Sequence, residues 1–305
     1  MIRRAMIRRA RCRRTSLGSA ARSRLWPVSL LAQMLLLVGL AGTPLTAADP
    51  VLAAPAAVAP APAPVPVGYT RAYAESLPHD AVAILCAPAS WDLRDWAIAA
   101  GIIGATAVVM TQDQHIADWS QEHRTGTTDQ LAHLVKPFGS YYLVGILGGF
   151  AVASAFSDDP RVTRTALLGT ESVAVAMVGY EALQLTANRP RPSQGADAGT
   201  WNGPRGPRAD SFPSGHATAA FAVATVVAEE WHAVPGVAVA AYGLAGLVGV
   251  SRITDHAHWA SDVVAGAVLG WASGHAVEWL HRTPQLSVAP MLGSRTRGVA
   301  LCWRF

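Results

Sequence analysis

Six long apolar runs separated by short polar stretches occupy most of the chain beyond residue 90, at 96–111, 138–156, 165–185, 214–231, 233–250 and 259–280. None alternates apolar with polar residues as a half-buried strand does, and each outlasts an ordinary strand. The runs therefore predict six helices. Several approach the roughly 20 residues that a bilayer-spanning helix needs, and their Ala and Gly content permits close packing. The third run contains Glu171 and Glu181. The tail has a different period. Val299, Leu301, Trp303 and Phe305 alternate with small or charged residues, and Gly293 to Gly298 separates them from an apolar stretch at 286–292. That pattern predicts a short C-terminal β-hairpin, lying on the helical body or on a partner.

Three polar clusters between the runs carry the chemistry. The first extends from Gln184 through Arg189 and Pro190 to Arg191 and Pro192. The second is Ser211-Phe212-Pro213-Ser214-Gly215-His216. The third begins at Ser251 and Arg252 and ends at His258 and Asp262. A phosphoryl group in transfer spreads its charge over three equatorial oxygens, so catalysis is mostly positioning and neutralisation. Arg191 and Arg252 each offer a fork of donors. Pro213 to His216 precedes a long apolar run and reads as a helix N-terminus, whose free N–H groups and dipole suit an anion. Gly215 lets the backbone approach that anion closely. His258 and Asp262 are four apart and would share a helix face. The carboxylate would fix the imidazole tautomer and free the other nitrogen to attack. His216 is then available as general acid. Each feature has a plainer reading. A histidine is more often packed than catalytic, and His232, His256 and His275 are read that way. An i,i+4 His/Asp pair can be a buried hydrogen bond or half a metal site. The three clusters in this order, around these arginines, favour the phosphoryl reading.

These clusters resemble the signature of the type 2 phosphatidic acid phosphatase family, which shares its fold with the vanadium haloperoxidases. The family pattern is Lys-x6-Arg-Pro, Pro-Ser-Gly-His, then Ser-Arg-x5-His-x3-Asp. Pro213 to His216 matches the second part, and Ser251 through Arg252 and His258 to Asp262 matches the third. The first part matches at Arg191 and Pro192 but carries Gln184 where the family has lysine; the frame ending at Arg189 puts Ala182 there. The resemblance implies an all-α, six-helix bundle. It implies His258 as nucleophile, Asp262 as its orienter and His216 as acid. Arg191, Arg252, Ser214 and Gly215 would hold the phosphate, with Gln184 as a neutral donor in the lysine position and Arg189 as a substitute charge. It implies no metal and no cofactor. Loss of one charge on such a pocket is worth about 1.5–3 kcal/mol of transition-state binding. Lys136 is the only lysine in the chain.

Composition places this chemistry at a membrane. The chain is 51% hydrophobic and 14% charged, with mean hydropathy +0.26. The formal charge of +4 comes from nine arginines within the first 24 residues; beyond residue 48 there remain 15 basic and 20 acidic residues, a net of −5. A nucleic-acid partner is therefore not expected. Residues 1–48 read as a basic, then apolar, then small-residue signal peptide cleaved after Ala47 or Ala48, or as an uncleaved anchor. Residues 49–90 read as an Ala/Pro-rich linker and an irregular approach. Residues 91–283 form the helical phosphatase domain and 284–305 the hairpin tail. The stretch 112–137, with Asp113, Asp118, Glu122, Arg124 and Asp129, reads as a solvated connection. Cys12 falls in the leader, and Cys86 and Cys302 could pair in an oxidising compartment.

The expected function is a metal-independent phosphatase acting on a phosphomonoester or diphosphate, of the phosphatidic acid, phosphatidylglycerol phosphate or isoprenyl diphosphate type, at the cell envelope. A vanadate-dependent haloperoxidase, a lipid phosphotransferase and a non-catalytic envelope protein are the alternatives. An exported leader followed by three crossings would leave the 188–212 loop in the cytoplasm. The chain is expected in the inner membrane or associated with it, with the site on the periplasmic side, which requires that the bundle not span, that one run not cross, or that the leader not export.

Overall fold

The structure, a computed structural model, describes residues 67–282 and the backbone of 286–292 and 297–303. The leader expected at 1–48 and most of the linker lie outside the described residues. Nine α-helices stand among the described residues, three more than the apolar runs predict. They are α1 Arg71–Cys86, α2 Leu93–Met110, α3 Asp113–Glu122, α4 Gly126–Val135, α5 Tyr141–Ala153, α6 Pro160–Ala187, α7 Gly215–Glu230, α8 Val237–Thr254 and α9 Ala260–Arg282. The six runs became α2 and α5 to α9. Local signals start three of them. Asp92 and Asp95 form a capping box on α2, Asp159 caps α6 with Pro160 in its first turn, and Ser214 caps α7.

The three unforeseen helices are amphipathic segments of mixed composition, not continuous apolar runs, and α3 and α4 are only ten residues each. α1 replaces the irregular approach expected up to residue 90. It contains Pro78, and the residues it buries are Tyr73, Ser76 and Asp80. Its inward face carries Tyr73, Leu77, Ala81 and Ile84 at helical spacing against the core, with Ser76 and Asp80 buried beside them. α3 and α4 replace the solvated connection expected over 112–137, and Asp113 at the start of α3 is fully buried.

α7 is the most buried helix, with α6, α8 and α9 packed around it. Close approach of α9 depends on Gly266, Gly270 and Gly274. A Cβ on Gly270 would stand 2.1 Å from the Thr218 carbonyl oxygen, and one on Gly266 would stand 2.5 Å from that of Ser214. The contacts step down both helices together, from Ser214 to Thr218 to Ala222, so α7 and α9 run parallel. α6 runs against α7, with Tyr180 beside Gly215 and Ser172 beside Ala222. Met110 at the end of α2 packs beside Ala187 at the end of α6. One end of the bundle thus collects the ends of α2, α6 and α8 and the beginnings of α7 and α9.

Three segments are long and apolar enough to cross a membrane: Leu93–Met110, Pro160–Gln194 and Val237–Thr254. The pair Gly126–Gly139 and Tyr141–Ala153, bent by 49°, makes a fourth if it is one broken span. Only 6% of the α2 residues are buried, and Val239, Leu247 and Val250 of α8 are exposed. An apolar surface of this extent is unusual on a water-soluble monomer. At the tail, Leu286–Leu292 and Arg297–Trp303 pair antiparallel as β1 and β2, with Leu286 opposite Trp303. Cys86 is exposed and free; the side chain of Cys302 lies outside the described residues.

Candidate active site

α6 stops at Asn188, which takes the left-handed conformation (φ 43°) that Asn tolerates better than most residues. Its side chain then ties down the loop that follows. Nδ2 donates to the Leu185 and Gly203 carbonyls at 3.1 and 2.9 Å, and Oδ1 accepts from the Ala209 N–H at 3.3 Å. The loop 188–212 is thereby folded back over the end of the bundle, bringing Ser211 to the start of α9.

His258 is buried there, two residues before α9 begins. Its Nδ1 lies 2.7 Å from the Ser211 carbonyl oxygen. A carbonyl only accepts, so Nδ1 carries the proton and Nε2 keeps its lone pair. The Asp262 carboxylate is 4.0 Å from Nδ1, beyond hydrogen-bond reach. Spacing alone suggested a direct pair, but His258 precedes the helix instead of lying on it. Asp262 accepts instead from the Ser211 hydroxyl at 2.5 Å and the Trp259 N–H at 2.9 Å. It therefore acts on His258 through Ser211, holding the hydroxyl of the residue whose carbonyl holds the ring.

Arg189 does not face a phosphate site. It is 1% exposed, with Nη1 2.6 Å from Asp262 and 2.8 Å from Ser261, and Nη2 2.7 Å from Asp113 and 2.6 Å from the Ala198 carbonyl. The rings of Trp201 and Trp259 lie over it at 4.5 and 5.3 Å. Asp113 also accepts from the Ser261 N–H at 2.8 Å. Arg189 is thus the counter-ion that lets two buried carboxylates pin α3 and α9 together. Burial pushes both carboxyls up, and Arg189 opposes that shift.

The remaining cations are held more loosely. Arg191, a third exposed, forks onto Asp210 at 2.8 and 2.7 Å. Arg252 is buried, donates from Nε to the Ser251 hydroxyl at 3.2 Å and pairs with Asp255. Lys136 Nζ lies 3.6 Å from the same Asp255. Lys136 opens a 3-10 turn, Lys136–Gly139, whose last residue packs directly on His216: a Cβ on Gly139 would meet the His216 Cβ at 2.8 Å. Sequence reading had no role for Lys136, Asp210, Asp255 or Asp113. Its one available signal was that Lys136 is the only lysine.

His216 sits in the first turn of α7, half-buried. Ser214 is fully buried and accepts weakly from the Ala217 N–H at 3.5 Å, while Gly215 abuts the Tyr180 ring. The first N–H groups of α7 have no partner within the helix. Burial, then Arg252, His258, Lys136 and Arg191, hold His216 down to about 4. Burial, then Arg191, hold His258 down to about 4 as well, opposed by the Ser211 carbonyl. Both histidines are neutral at pH 7, and both feel Arg191 and Arg252. Gln184 donates to the Tyr180 hydroxyl at 2.5 Å and lines a cleft of about 250 Å³ with Asn188, Gln194, Arg208 and Asp210. That cleft adjoins Arg191 through Asp210 but is not lined by either histidine.

Residues 166–285 match the PAP2 superfamily. The lipid A 1-phosphatase of Porphyromonas gingivalis is 44% identical over 78 residues, which are 25% of this chain and 18% of that protein. The match thus spans less than a fifth of that relative's length. Two solved structures are similar. The transmembrane PAP2 type phosphatidylglycerolphosphate phosphatase from Bacillus subtilis aligns at TM-score 0.44 and 17% identity, covering 59% of this chain and 93% of that one. Aquifex aeolicus LpxE aligns at 0.42 and 22%, covering 54% and 94%.

Proposed function

We propose that this chain, with its PAP2-superfamily segment, is a metal-independent phosphatase of membrane lipid phosphates or diphosphates that works through a phosphohistidine at His258. The observation that supports this best is the state of His258. Its Nδ1 proton is committed to the Ser211 carbonyl, so a lone pair remains at Nε2 on a ring that burial, then Arg191 and Arg252, keep neutral. In the first step Nε2 attacks phosphorus, an N–P bond forms and the P–O bond to the leaving group breaks. His216 gives its proton to the departing oxygen. In the second step His216 takes a proton from water, the water oxygen attacks phosphorus, the N–P bond breaks and phosphate leaves. His258 returns with its lone pair and His216 with its proton.

Phosphate binding follows from the cations. A surface pair such as Arg191–Asp210 is worth about 0–1 kcal/mol, so a phosphate can take the Arg191 fork from Asp210. Arg252 and the N-terminus of α7, with Ser214 and Gly215, supply the other donors. Gln184 is held by Tyr180, and Lys136 supplies the charge that this position lacks, from a different element. A bound dianion among these groups raises His216 toward the protonated form that an acid needs. The exposed apolar faces of α2 and α8 support a lipid substrate presented at a membrane surface.

Because α2, α6 and α8 all run toward the site, a spanning bundle starts α2 on the side opposite the site. A periplasmic site then goes with a leader that stays on the cytoplasmic side, with an α2 that does not cross, or with a bundle that does not span.

The test is phosphate release from a panel of lipid phosphates in EDTA, with acid quench to trap labelled protein. An acid-labile, base-stable phosphoryl adduct on the natural chain and none on His258→Ala is the expected result. Release that persists in His258→Ala, or that EDTA abolishes while leaving helical dichroism and melting temperature unchanged, overturns the reading.

A further inference from the structure

The end of the bundle away from His258 holds a second buried polar cluster, which the proposed reaction does not use. Asp80 of α1, Glu171 of α6 and His281 in the last turn of α9 place their ligand atoms within 4.8 Å of one another. From Asp262 to His281 is roughly 28 Å along α9 at 1.5 Å per residue. The three side chains are only 1%, 4% and 6% exposed. His281 Nε2 is 3.1 Å from Glu171 Oε2 and 3.9 Å from Asp80 Oδ2. Tyr73 donates its hydroxyl to Glu171 Oε2 at 2.6 Å.

Two features point to a missing ligand. Asp80 Oδ2 is buried and has no hydrogen-bond partner, although it faces the other two groups. Among the described residues, no lysine or arginine pairs with Asp80 or Glu171. Their only ionic neighbours are His281 and, for Asp80, His79 at 3.6 Å. Arg164, whose charge is felt at Tyr73, is engaged by Glu230 and Glu278, and Arg282 by Glu229, Glu230 and Glu278. Two buried carboxylates facing one imidazole leave net negative charge even when the imidazole is protonated, and an unbalanced buried charge is strongly destabilising. A divalent cation with two carboxylates and a neutral imidazole balances to zero.

We propose that Asp80, Glu171 and His281 bind one divalent transition cation of the zinc or manganese class, which staples α1 onto α6 and α9. One nitrogen and two carboxylate donors suit such ions better than magnesium or calcium, which favour all-oxygen sets. Tetrahedral ligation at 2.0–2.2 Å separates donor atoms by about 3.4 Å. The 3.1 Å separation is already near that, and the 3.9 Å one closes by about half an ångström. Tyr73 stands behind Glu171 as the group that orients the ligand. A cavity of about 270 Å³ between α1 and α6, bordered by Tyr73, Leu77 and Glu171, gives the ion a way in.

The test uses the full chain in detergent, stripped with chelator, dialysed and returned to zinc chloride or manganese chloride. Bound metal is counted by mass spectrometry and the melting temperature is followed by circular dichroism. The expected result is one ion per chain, a melting temperature raised by several degrees, and at least tenfold weaker binding in Asp80→Asn and His281→Gln. Tyr73→Phe should weaken binding about tenfold, the lower end for a residue that positions a ligand. Asp80→Asn should keep its helical dichroism and its phosphate release in EDTA, which separates loss of the ion from loss of the fold. Failure of the stripped chain to take up either ion, or equal uptake by Asp80→Asn, overturns the proposal and leaves a proton-sharing carboxyl cluster. Neither outcome bears on the phosphohistidine reading, which is tested without metal.

Discussion

The ends of the bundle around His258 and around His281 each bury a histidine beside carboxylates, but they balance charge differently. Near His258 four carboxylates each have a cation from the protein. Asp113 and Asp262 share Arg189, Asp210 has Arg191, and Asp255 has Arg252 and Lys136. Near His281, Asp80 and Glu171 face only histidines and a phenol. The first end holds its shape without help, and its outer cations are available for exchange with an anionic substrate. The second end needs a counter-ion from outside. Polar groups buried in the same bundle thus serve opposite ligand charges.

Five substitutions would break or sharpen this contrast. His258→Ala should lower phosphate release by at least about 10⁴-fold, as loss of a nucleophile acting within a unit does; rates near the natural chain's would sink the covalent mechanism. Arg189→Met should destabilise the chain by about 3–5 kcal/mol, because two buried carboxylates lose their partner. Chemical denaturation of that variant beside Arg191→Ala checks it. The Arg191 change should cost no more than about 1 kcal/mol of stability while raising KM. His216→Asn should lower kcat by about 10²–10⁴-fold.

The pH dependence of the natural chain carries a sign. His216 must be protonated to act as acid, so activity falls as pH rises through its pKa. That pKa is about 4 in the ligand-free chain and higher beside a bound dianion. The alkaline limb of kcat should therefore lie at higher pH than that of kcat/KM. Coincident limbs in a pH–rate series would contradict the charge exchange proposed for this end. The smallest effect is expected from Lys136→Met, about a tenfold rise in KM with kcat little changed. An unchanged KM would mean that Lys136 serves only Asp255.

Much of the candidate site's end of the bundle was legible in the chain. Pro213 to His216 reads as a helix start because a proline, a capping serine and a glycine precede an apolar run, and α7 does begin there. Gln184 and Arg191 stand out against a family pattern. The relay through Ser211 was not legible. Its hydroxyl and carbonyl act in different directions on residues 51 and 47 positions away, and nothing local marks a serine for that. Arg189 and Arg191, two residues apart, look alike in sequence. One is buried among two carboxylates and the other lies on an exposed aspartate, a difference set by which carboxylates the fold brings to each.

Periodicity and composition by themselves determined that the body is helical and apolar, and spacing determined which polar clusters sit at helix beginnings and ends. Those are short-range properties, written within a few turns of chain. Tertiary structure alone decided the counter-ions: that Asp113 would reach Ser261, 148 positions on, that the single lysine would arrive beside Arg252, and that α1 would bring Asp80 to His281. A charge finds its partner at about 3 Å across whichever helices pack together, and no local pattern records that distance.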